Sequence, residues 1–65
     1  MDMIEVEAVH VAGRKFYCRK IMAMDFRAFP LKQRIKAVRF QEAQIKSGQL
    51  EIVEKDNKLY FKDDL

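Results

Sequence analysis

The sequence predicts a small α+β domain of order ββαββ, a four-stranded sheet covered on one face by one helix. Three observations predict it. Residues 4–11 and 16–22 alternate apolar and polar positions with β-branched content, the signature of two half-buried strands. Residues 31–45 repeat apolar side chains at helical spacing, and residues 50–62 alternate again on either side of a turn pair.

Between the first two strands lies Ala12-Gly13-Arg14-Lys15. Glycine takes positive φ at the first central position of a type II′ turn without steric cost, so Gly13-Arg14 is the expected turn. That register sets Val11 opposite Phe16, Val9 opposite Cys18, Glu7 opposite Lys20 and Val6 opposite Ile21. The Glu7–Lys20 cross-strand ion pair supports it modestly. Asp25 suits the N-cap of a first turn, and Pro30 the first residue of the main helix. Leu31, Ile35, Val38 and Ile45 then share one helix face, and Gly48 stops the helix. Asp56-Asn57 tolerates positive φ and closes the second hairpin, with Ile52 opposite Phe61 and Glu51 opposite Lys62. The order of elements resembles that of β-grasp domains, which implies two terminal strands lying central and parallel. A fold of this kind carries no function by itself.

Sixty-five residues suffice for one core, so one domain over residues 1–65 is expected. A chain of this size buries only about 60% of its unfolded surface, and one such core supplies roughly 3–5 kcal/mol without staples. Cys18 is the single cysteine, which excludes an intramolecular disulfide and fits a reducing compartment. The acidic start, Met1-Asp2-Met3-Ile4-Glu5, is unlike a signal peptide, and no apolar run approaches the ~20 residues that span a bilayer. A cytoplasmic protein without a membrane segment is the expectation.

The net charge of +3 conceals a segregation. Residues 14–46 hold ten basic residues against two acids, Asp25 and Glu42. Residues 1–13 carry Asp2, Glu5 and Glu7, and residues 47–65 hold three lysines against five acids. A basic middle between acidic ends points to an anionic partner.

Catalysis is not expected. The chain has no threonine, one serine (Ser47), one histidine (His10) and one cysteine (Cys18). A Cys18–His10 dyad fails on alternation, because the two side chains fall on opposite faces of the hairpin. Two Cys/His residues cannot close a zinc site, and two glycines, Gly13 and Gly48, cannot write a phosphate-cradling loop. No catalytic residue, metal ligand or cofactor site is therefore assigned.

Surface candidates remain. Lys32, Lys36, Arg39 and Lys46 fall in one sector of the helix beside its apolar face. Like charges one turn apart, as in Lys32–Lys36, cost a few tenths of a kcal/mol, so such a stripe suits an anionic surface as well as a solvated face. Phe40 projects nearly opposite Leu31, Ile35 and Val38 and is expected to be exposed. On the first hairpin, Val9, Val11, Phe16 and Cys18 share one face, while Ile4, Val6 and Ile21 share the other. Unless a bulge switches the register, that second apolar face implies a homodimer or a partner. Residues 14–20 interleave bases with aromatics, a weak nucleic-acid pattern that equally guards an edge strand from aggregation. The expected function is a non-enzymatic binding module that docks on an acidic protein surface through Lys32, Lys36, Arg39, Phe40 and Lys46. The alternative is a small nucleic-acid binder using the basic band of residues 14–46.

Overall fold

Alternating apolar residues form the first two strands, β1 (Val6–Val11) and β2 (Arg14–Arg19), in a computed structural model that describes residues 3–65. Asp2, one of the acids of the N-terminal segment, lies outside the described residues, as does Met1. The turn is Ala12-Gly13, with φ of 50° and 78°, and not Gly13-Arg14. Two positive-φ residues make a turn whose twist matches that of the strands, which outweighs the cost of placing alanine there. The register shifts accordingly: Val11 faces Arg14, Val9 faces Phe16, Glu7 faces Cys18 and Val6 faces Arg19. A two-residue shift preserves the faces, so Val9, Val11, Phe16 and Cys18 still point one way together. The expected Glu7–Lys20 pair is replaced by two others, Lys20–Glu5 at 2.9 Å and Arg27–Glu7.

Two helices follow where one was expected. β2 stops at Arg19, and α1 (Lys20–Arg27) buries Ala23 and Phe26. Asp25 lies inside α1 and caps nothing, while Pro30 is the N-cap of α2 (Leu31–Ser47) instead of its first residue. Gly48 ends α2 in the left-handed conformation at φ 83°, as glycine without a Cβ can. β3 (Ile52–Lys55) and β4 (Lys58–Phe61) close around Asp56 and Asn57, at φ 54° and 65°. Ile52 faces Phe61 as expected, and the Lys62 amide donates to the Glu51 carbonyl at 3.0 Å. A 3-10 turn, Lys62–Asp64, follows β4.

The sheet order is β2-β1-β4-β3 with every neighbour antiparallel. The terminal strands are central, as expected, but β1 and β4 run antiparallel and not parallel. Parity explains the difference. The chain passes through two helices and not one between β2 and β3, and with one element more the parity of chain reversals before β4 is no longer that of ββαββ.

The core is Val9, Val11, Cys18, Ala23, Phe26 and Val38, with Phe16, Ile35 and Ala37 packed against it. The Phe26 ring stacks on Phe16 at 4.2 Å between centroids and meets Phe29 edge-on at 6.3 Å. α2 is rotated from the expected stripe: it buries Val38 and Gln41, while Leu31 is 51% exposed and Ile45 38% exposed. The reason is at Gln41. Its Oε1 accepts from the Tyr17 amide and its Nε2 donates to the Tyr17 carbonyl, each at 2.7 Å. The side-chain amide thus pairs with the outer edge of β2 as another strand would, and fixes the rotation of the helix about its axis. No helix among the described residues is long and apolar enough to cross a membrane.

Candidate functional site

The residues of the expected site lie together on the outer side of α2. Lys32, Lys36, Arg39 and Lys46 are exposed, and none forms a salt bridge among the described residues. Phe40 stands one turn beyond Lys36 with 69% of its surface exposed. The rotation of α2 adds a residue that the apolar stripe had placed inside, because Leu31 now lies open along the other flank. A row of four cations therefore runs between two exposed apolar side chains.

Folding redistributes the charge segregation seen in the sequence. The acids of the two ends fold back on the first half of the basic band. Glu5 holds Lys20, Glu7 holds Arg27, and Asp64 takes a forked bond from Arg19 at 2.9–3.2 Å. Glu42, the one acid of α2, reaches across to Arg14 at 3.7 Å, and Arg34 spends its Nε on the Phe29 carbonyl. The uncompensated positive charge in the band is left mainly on α2, at Lys32, Arg34, Lys36, Arg39 and Lys46, with Lys15 apart on β2.

His10 and Cys18 sit on opposite sheet faces, since His10 faces Lys15 while Cys18 faces Glu7. Cys18 is buried and His10 exposed. Burial pushes the Cys18 thiol up from its ordinary 9.0, and the Glu7 carboxylate adds to the effect while Arg27 opposes it. A folded chain that holds this proton more tightly gains a contribution to stability that is complete below pH 9.0 and lost as pH rises through the raised value. Wild type should therefore lose stability in the alkaline range more steeply than Cys18→Ser, measured by urea melts at rising pH. Alkylation of Cys18 at neutral pH should be slow until the chain is unfolded. Rapid labelling of the folded protein would contradict that burial.

Sequence reasoning missed a second feature. Between β2, α1 and the C-terminal half of α2 lies a mainly apolar cavity of about 460 Å³ walled by Phe16, Cys18, Met22, Phe26, Phe29 and Leu50, with Arg19 and Asp25 as its charged members. α1 forms one wall of it, and the first residues of α1, 20–22, were read as the end of the second strand. Gln41, on the cavity wall, was missed for a related reason: a glutamine signals burial only once the phase of its helix is known. No family model matches this chain, and neither a curated protein nor a solved structure matches it.

Proposed function

We propose that the protein is a non-enzymatic binding module that docks on an acidic protein surface through α2. The supporting observation is the row Lys32, Lys36, Arg39 and Lys46, free of salt bridges among the described residues and flanked by exposed Phe40 and Leu31. Aromatic anchors beside cations concentrate binding energy at protein interfaces, and the unpaired cations steer an acidic partner on approach. Binding along a nucleic-acid backbone needs a continuous track of free bases. Here Arg14, Arg19, Lys20 and Arg27 are each engaged with an acid, which interrupts that track and favours a protein partner.

The test compares Phe40→Ala with Lys32→Ala, Lys36→Ala and Arg39→Ala combined, using proteins captured from a nuclease-treated native extract and a duplex DNA titrated across salt. Phe40→Ala should weaken capture roughly thirtyfold, the loss of about 2 kcal/mol typical of an anchor. The triple variant should mainly slow association, more so at low salt. Capture that depends on nucleic acid, with DNA affinity falling with a log–log slope near −0.9 per phosphate and indifferent to Phe40, would establish the nucleic-acid alternative instead.

A further inference from the structure

The two edges of the sheet are finished differently. At β2 the outward backbone groups of Tyr17 are held by Gln41. At β3, the other edge, the direction of the backbone groups follows from the pairing with β4. The Glu51 carbonyl accepts from Lys62 on the inner side, and Lys55–Lys58 brackets the two-residue turn. Odd-numbered residues of β3 thus bond inward, and the amides and carbonyls of Ile52 and Glu54 point outward with no partner among the described residues. Such an edge is a template for another strand.

We infer that β3 pairs antiparallel with the β3 of a second copy, with Val53 on the two-fold axis. Only outward-pointing residues can exchange bonds across the new seam, so the axis falls on Ile52, Val53 or Glu54. An axis on Glu54 sets Glu54 against itself, two like charges directly opposed. An axis on Ile52 sets Glu51 against Val53 and Lys55 against Gln49, with no charge matched. An axis on Val53 sets Glu51, which also pairs with Lys62 of its own chain at 3.5 Å, opposite the partner's Lys55 and Lys55 opposite the partner's Glu51, while Ile52 and Glu54 exchange the backbone bonds. Glu51, Val53 and Lys55 then occupy the closely spaced, non-bonded positions of the ladder, where side chains approach most nearly. The charge pattern of the strand is self-complementary in that register alone.

The axis stands normal to the sheet, because only that operation makes identical edges run antiparallel. Both copies of α2 therefore lie on the same side of an eight-stranded sheet. A seam of so few residues belongs with the weak interfaces below about 1,200 Å² of buried surface, and association is concentration-dependent.

Sedimentation velocity on the whole chain, from low micromolar to millimolar, tests the register through charge. Wild type should pass from monomer to dimer. Glu51→Lys and Lys55→Glu, both at exposed positions, should each stay monomeric at concentrations where wild type is dimeric, because each sets like charges opposite one another. Mixed in equal amounts, the two variants should associate again, since each then meets its complement. Circular dichroism of each variant checks that the fold is kept. Wild type that stays monomeric throughout overturns the inference, as does a dimer that survives both single variants or a mixture that fails to associate.

Discussion

Phe26→Ala should leave most of the chain unfolded at room temperature. The ring is 8% exposed, stacked on Phe16 and in edge contact with Phe29. It is one of the two side chains that α1 buries, the other being Ala23. Truncating a buried phenylalanine costs about 3–5 kcal/mol through lost burial and the cavity left behind. A single core of this size supplies about the same amount in total, so nothing remains to hold the native state. The ring also walls the cavity of about 460 Å³, so truncation widens that opening. Far-UV circular dichroism against urea would read the outcome. Phe26→Leu keeps most of the volume and should fold with a lowered midpoint. An alanine variant melting near wild type would mean that α1 is not part of the cooperative core.

The second hairpin was legible because all its information is local. Asp56-Asn57 specifies the turn, alternation specifies the strands, and the Ile52–Phe61 register follows from the two together. The first hairpin was legible in its faces and not in its register, for an even shift moves no side chain across the sheet. α1 was not legible. Its eight residues bury only Ala23 and Phe26, one helical repeat, while Ile21 and Met22 prolong the alternation of β2. Missing it carried a global consequence, since the lost chain reversal turned β4 from antiparallel to parallel with β1.

The candidate site was legible where it depends on helix periodicity alone: in any helix that buries Val38, Phe40 falls nearly opposite and the four cations share the sector between them. The cancellation of charge was not. Arg19 and Asp64 are 45 residues apart in sequence, and Arg27 and Glu7 are 20 apart, so the pairing of the acidic ends with the basic band is a product of topology. Leu31 belongs to the same class, exposed because a polar contact elsewhere sets the helix phase.

That contact yields the second large effect. Gln41→Leu keeps the approximate size of the side chain and removes both bonds to Tyr17. Each backbone group left without a partner costs about 1–3 kcal/mol when buried. The edge position lets water recover part of that, so a net loss of roughly 2–4 kcal/mol is expected, again close to the stability of the domain. Gln41→Glu separates the two bonds by pH. Ionised, the carboxylate can accept from the Tyr17 amide but faces the Tyr17 carbonyl with no hydrogen to offer, in a site that leaves the native residue 6% exposed. Protonated, it can restore both bonds. The folded state therefore holds this proton more tightly than the unfolded chain, where glutamate titrates at about 4.3. Its contribution is present in full below that value and lost as pH rises through the higher folded value. Gln41→Glu should approach wild-type stability in mild acid and fall well short of it at neutral pH, while Gln41→Leu stays destabilised at both. Urea midpoints for the three proteins at the two pH values give the comparison. A glutamate variant with no more pH dependence than wild type would show that the amide pairing does not hold α2 to the sheet.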